Sequence, residues 1–382
     1  MADPIIKVDD LKIHFSNYEG RHQVLNGVNL TIEEGETVAL VGETGCGKSV
    51  TGKSIMGTLK RPPAEVVSGE VRYKGTEVLG DPEEHDRIQR EEMSMIFQDP
   101  MTYLSPVFKI GDMMSDIHRF SEEPELSWFG LVKELLGIKR GDSEEIRESN
   151  IELLRQMEIS NPEGVIDKYP AELSGGMRQR VLIAMAVMNN PSFLIADEPT
   201  TALDVTVQDQ ILELLMERIE KQDLSMLYIT HNLGVARQIA DRIYVMYGGN
   251  IVESGPAEEV FDNPRHPYTV GLIESIPKLT GLSGEGIDGS IPDYTIPPSG
   301  CRFHPRCPAY MGGECDAADP ERVSVDENHD AACFLYDESM ESDETIEIAE
   351  REIQYSKRET EQFVEKASTK SVTGDGGQKE QP

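Results

Sequence analysis

An α/β fold built around a parallel sheet is predicted by three observations. Uninterrupted apolar runs recur at Val38-Ala39-Leu40-Val41, Met95-Ile96-Phe97, Phe193-Leu194-Ile195-Ala196 and Met226-Leu227-Tyr228-Ile229. Helical pattern separates them, and a glycine-rich segment follows the first directly. Fully buried strands alternating with helices give a sheet covered on both faces.

Residues 1–41 alternate apolar and polar positions, as in Ile5-Ile6-Lys7-Val8 and Val28-Asn29-Leu30-Thr31-Ile32, and read as half-buried strands of an antiparallel β subdomain. After the glycine-rich turn a helix is expected. Between Met101 and Ala171 the apolar spacing is mostly 3.6-residue, as at Ile151, Leu154 and Met157, which places an inserted helical subdomain at about 101–172. Within it, residues 128–136 carry the chain's only tryptophan, Trp128, on an amphipathic helix. Residues 241–255 read as a hairpin turning on Gly248-Gly249-Asn250. From 277 to 308 Pro and Gly dominate, so a loop-rich module there needs a further source of order. The expected organisation is an α/β domain over 1–262, a cysteine-containing region over 263–336, and an acidic, disordered tail over 337–382.

The chain has 382 residues, with 36 Lys and Arg against 70 Asp and Glu, a formal charge of −34. A duplex phosphate surface repels such a protein, so no nucleic-acid partner is expected. The carboxylates crowd 120–150 and the tail rather than the motif segments, which suggests a halophilic surface adapted to a salty cytoplasm. No run of 18 apolar residues occurs and the start lacks a secretory pattern, so a cytosolic chain is expected.

Gly42-Glu43-Thr44-Gly45-Cys46-Gly47-Lys48-Ser49, followed by Val50, is a complete phosphate-binding loop between a buried strand and a helix. Its glycines let successive N–H groups face phosphate oxygens. Lys48 then neutralises the β and γ phosphates, and Ser49 reaches Mg²⁺. Cys46 occupies a variable position and reads as a small filler. Asp197 and Glu198 end an apolar strand, where ligands of α/β sheets lie: Asp197 as a Mg²⁺ ligand, Glu198 as the general base on a water facing the γ-phosphate. Ser174-Gly175-Gly176 start a helix whose free N–H groups make a second anion site. One chain already has its phosphate loop, so two subunits are needed.

Leu173-Ser174-Gly175-Gly176-Met177-Arg178-Gln179-Arg180 matches a signature sequence, and with it the chain resembles the ATP-binding subunits of ATP-binding-cassette (ABC) transporters. The resemblance implies a P-loop ATPase fold of that type, working with Mg²⁺ and ATP. It implies that Gln98 senses Mg²⁺ and the attacking water, that His231 contacts the γ-phosphate, and that Leu203-Asp204 crosses to a partner subunit. It further implies that two subunits sandwich ATP head to tail, and that an aromatic near the start, Tyr18 or Phe15, stacks on adenine.

Gln98-Asp99-Pro100-Met101-Thr102, Tyr169-Pro170-Ala171-Glu172-Leu173, His266-Pro267-Tyr268-Thr269 and Pro297-Pro298-Ser299-Gly300-Cys301 resemble the oligopeptide, dipeptide and nickel importer subfamily, over roughly residues 5 to 336. Residues 120–145 look longer than usual for it, and the tail has no counterpart. Two permease subunits, a second ATP-binding subunit and, indirectly, an extracellular binding protein are the implied partners, at the cytoplasmic face of the membrane. Peptide is the first expected cargo, with nickel and oligosaccharide as alternatives. A soluble ATPase of DNA repair or ribosomes is the reading from another class.

Cys301, Cys307, Cys315 and Cys333 are separated by 6, 8 and 18 residues, without the paired C-x-x-C knuckles of structural zinc. Four thiolates can hold a [4Fe–4S] cluster, which the subfamily resemblance also implies; zinc or free thiols are the alternatives. His304 and His329 are expected to be ordinary polar residues.

Overall fold

The structure, a computed structural model, describes residues 3–18, 20–79, 82–99, 103–122, 143–200, 205–275 and 287–337. The helix expected at 128–136, Leu203-Asp204, most of the 120–145 stretch and the tail lie outside the described residues.

Two sheets carry the chain. In the first, β1 (Ile6–Asn17), β2 (Gly20–Ile32), β4 (Ala64–Tyr73) and β5 (Thr76–Glu77) run antiparallel in the order β2-β1-β4-β5. The second contains β3 (Thr37–Val41), β6 (Met93–Ile96), β7 (Phe193–Asp197), β8 (Ser225–Thr230), β9 (Arg242–Tyr247), β10 (Asn250–Pro256), β11 (Val323–Asp326) and β12 (His329–Ala331). Its order is β11-β12-β10-β9-β3-β8-β7-β6, parallel from β9 through β6 and antiparallel at the β10 end. Every residue of β3, β7 and β8 is buried, as the uninterrupted apolar runs require.

One apolar core fills the space between the two sheets, from Ile13 and Leu25 to Leu227 and Met246. A second lies on the opposite face. There Leu154 and Met157, two of the 3.6-spaced residues, pack with Ile110, Met114 and the helix Gly175–Val187. The 241–255 hairpin turns where expected, with Gly248 at φ 55° and Gly249 at φ 84°. Gly249 is required twice over, because a Cβ there would stand 2.0 Å from the Val24 carbonyl oxygen.

The described part of the 277–308 stretch holds no strand, as expected, but beyond it β11 and β12 extend the parallel sheet, with Glu253 paired to Ala331 and Ser254 to Asp330. Val-Ser-Val-Asp and His-Asp-Ala are too short and too polar to read as strands alone; the open edge of β10 recruits them. His329, expected as an ordinary polar residue, is fully buried at 0% exposure. Its Nε2 lies 2.8 Å from Glu253 Oε1, and the same buried carboxylate accepts the N–H groups of Arg265 and His266, each at 2.8 Å. Three partners satisfy a group whose unpaired burial would cost several kcal/mol. A third core, in which Tyr247, Tyr268 and Phe303 pack edge to face, joins the module to β9.

Candidate active site

The phosphate loop turns off β3 because nothing but glycine fits its first position: Gly42 has φ 149°, and a Cβ there would meet the Met246 carbonyl oxygen at 2.2 Å. Lys48 opens the helix Lys48–Ile55 and is 5% exposed. Its ammonium folds back into the loop, donating to the carbonyls of Gly42 at 2.7 Å and Glu43 at 2.9 Å. Thr44 and Gly45 are exposed, Cys46 and Gly47 buried, and Val50 packs beside the inter-sheet core. Burial pushes the Cys46 thiol up, against the pull of Lys48, so this residue is protonated packing.

The chain returns to the same place at the ends of three neighbouring parallel strands. The Ser49 hydroxyl donates to Asp197 Oδ1 at 2.9 Å. Burial raises the Asp197 carboxyl above its usual range, with the Ser49 hydrogen bond and then Lys53 opposing it. A hydroxyl beside a buried carboxylate is an oxygen-only pair of the kind Mg²⁺ takes together with substrate phosphates. Glu198 is 9% exposed and held from two sides: Gln98, past β6, donates to Oε2 at 2.9 Å, and His231 Nδ1, past β8, lies 2.9 Å from Oε1. Its backbone is left-handed at φ 47°, a conformation that costs a non-glycine residue about 1–3 kcal/mol. The strain aims one carboxylate into the cleft from a buried strand end.

Ser174 caps the signature helix, its hydroxyl accepting the Met177 N–H at 3.3 Å, and Ser174 and Gly175 are exposed. Of the two aromatics considered for adenine, Tyr18 is 96% exposed in the β1–β2 turn, whereas Phe15 packs on the core. Asp204 lies outside the described residues. The structure thus brings Lys48, Ser49, Gln98, Asp197, Glu198 and His231 together, and leaves Ser174, Gly175 and Tyr18 at the surface.

The dipeptide transport ATP-binding protein of Bacillus subtilis (strain 168) is 41% identical over 343 residues, covering 89% of this chain and 97% of the relative. The chain belongs to the ABC transporter family. Residues 25–201 match the family described as ABC transporter, and 252–315 match the oligopeptide/dipeptide transporter C-terminal region. The oligopeptide transport ATP-binding protein AppD of the same strain is 40% identical, covering 87% of this chain and 97% of its own length. Among solved structures, the ATP-binding cassette MJ0796, dimeric in a post-hydrolysis state with ADP and phosphate, superposes with a TM-score of 0.55 at 28% identity. That match covers 66% of this chain and 98% of the cassette. This ABC subunit is an ATPase. No helix among its described residues is long and apolar enough to cross a membrane.

Sequence reasoning missed the aromatic that stacks beside Gln98. Tyr103 lies flat on Phe97, ring centroids 3.6 Å apart, and the negative charges of Asp197 and Asp99 add to burial in raising its phenol. A single tyrosine gives no periodic signal that could have marked it.

Proposed function

We propose that this subunit powers a peptide importer, hydrolysing ATP at a site completed by a second ATP-binding subunit. The observation that carries the chemistry is the Gln98–Glu198–His231 triad beside the phosphate loop. Lys48 exchanges its loop carbonyls for the β and γ phosphates. Glu198 takes a proton from a water whose oxygen bonds the γ-phosphorus as the bond to the ADP oxygen breaks. Gln98 and His231 fix the carboxylate and the water. Mg²⁺ would be held by Ser49 and Asp197, with Gln98 as a further oxygen donor, and would neutralise developing phosphate charge.

The Ser174-Gly175-Gly176 helix start, exposed at its first two residues, fits the γ-phosphate of the opposite subunit, with Asp204 crossing between them and Tyr18 against adenine. Two permeases anchor the pair at the cytoplasmic face as a peripheral complex, and an extracellular binding protein delivers cargo. The names of the relatives support peptide over nickel or oligosaccharide. Reconstituted with its permeases in vesicles, the subunit is expected to hydrolyse ATP faster when the cognate binding protein carries a peptide, and faster in molar than in dilute KCl if the surface is halophilic. Stimulation by Ni²⁺ or sugar instead overturns the cargo, and an optimum at low salt overturns the adaptation.

The cysteines are proposed to hold a [4Fe–4S] cluster. All four line one cavity, together with Phe303 and Phe334. Burial, followed at a distance by the other three thiols, drives the Cys333 thiol far above its ordinary range. Among the described residues no three Cys, His, Asp or Glu side chains converge as ligands of a metal ion, so the cluster reading rests on the shared cavity and the resemblance. The cavity is about 20 Å³, one water's worth, and Cys315 sits on the short helix Gly313–Ala317, so the side chains as placed leave less room than a cluster needs. Purified protein should contain iron and sulfide, and Cys307→Ser should lower both and speed proteolysis within 287–337 while ATP still binds. Protein without iron and sulfide overturns the cluster.

A further inference from the structure

The C-terminal module touches the phosphate loop at three points that hydrolysis does not use. Arg306 donates to both carboxylate oxygens of Glu43, the second residue of the loop, at 2.7 and 3.0 Å. Its other donors go to the carbonyls of Asp288 at 2.7 Å and Ile287 at 3.0 Å and to the Tyr247 hydroxyl at 3.4 Å, so the guanidinium is fixed between the module's own backbone and β9. Arg306 is 6% exposed at its side chain and Glu43 28%, which makes this a shielded bidentate pair rather than a surface ion pair. The Tyr294 hydroxyl donates to the Gly45 carbonyl at 2.8 Å, and the Glu43 N–H donates to the Tyr268 hydroxyl at 2.9 Å.

A loop with glycines at 42, 45 and 47 has little conformational preference of its own. Its N–H groups face a phosphate only if its outer side is held, and ordering it at the moment of binding would weaken affinity. Arg306 has a second effect. Glu43 would otherwise present a carboxylate beside the triphosphate, and the guanidinium neutralises it. Arg306 also ends the turn His304–Arg306 and directly precedes Cys307, so displacing that thiol displaces the guanidinium.

We infer that Arg306, with Tyr294 and Tyr268, is a positioning residue for ATP: the cysteine module braces the phosphate loop from outside and masks the Glu43 charge. The inference rests on the ATPase role of the loop, and extends it to a part of the chain that touches no substrate. Binding of a fluorescent N-methylanthraniloyl-ATP with Mg²⁺ tests it on the full chain.

Arg306→Met should weaken binding about tenfold and raise KM to match, with kcat nearly unchanged because Glu198, Gln98 and His231 are untouched. Adding Glu43→Gln to Arg306→Met should recover part of the lost affinity, since the unmasked carboxylate is gone. Tyr294→Phe, which removes one hydroxyl, should weaken binding about threefold and serves if Arg306→Met fails to fold. Unchanged affinity in a folded Arg306→Met or in Tyr294→Phe, or strictly additive effects of Arg306→Met and Glu43→Gln, would overturn the brace. A wild-type chain that binds no nucleotide would instead count against the ATPase reading itself.

Discussion

Glu198→Gln is expected to bind ATP normally and to lose hydrolysis, with kcat falling by about 10²–10⁴. The amide is the same size as the carboxylate and still meets Gln98 and His231, which flank Glu198 at 2.9 Å on either side. What it lacks is the capacity to take a proton from the attacking water. ATP therefore stays intact between two subunits, and the paired form accumulates. Phosphate release measured alongside size-exclusion chromatography in ATP reads both effects. Near-normal turnover would place the base elsewhere.

Lys48→Ala should fail one step earlier. Lys48 is the only cation in the loop, is 5% exposed, and spends two of its donors on the Gly42 and Glu43 carbonyls before any phosphate arrives. Removing it takes the ammonium from the Gly42 carbonyl, leaves Glu43 only the Cys46 N–H at 3.3 Å, and leaves the β and γ phosphates without their counter-charge. Charged hydrogen bonds of this kind are worth about 1.5–3 kcal/mol each, so nucleotide affinity should drop by about 10² or more. Calorimetric titration with ATP checks it; unchanged affinity would mean the ammonium never leaves its carbonyls. The two variants separate binding from chemistry, because Glu198→Gln holds ATP while Lys48→Ala never acquires it.

What could be read from residues alone follows from how local each signal is. The phosphate loop is eight consecutive residues between a buried strand and a helix, and both the strand β3 and the helix Lys48–Ile55 are where the pattern puts them. Asp197 and Glu198 were legible because four apolar residues precede them. That Gln98 and His231 close on the same carboxylate was not readable from spacing: one partner is 100 residues away and the other 33, and only the family resemblance linked them. Arg306 was hidden for the same reason, its partner Glu43 lying 263 residues back. β11 and β12 were hidden for another: their strand character comes from the edge they join.

That edge has a consequence for the order of synthesis. β10 and its buried Glu253 emerge 76 residues before His329, the histidine that pairs with the carboxylate. Until β12 arrives, the nascent ATPase carries an open strand edge and a carboxylate awaiting burial, and the sheet holding the phosphate loop remains unfinished. The last described segment, 287–337, thus closes the edge of β10, and a cut at residue 262 would leave that edge open and Glu253 without its histidine.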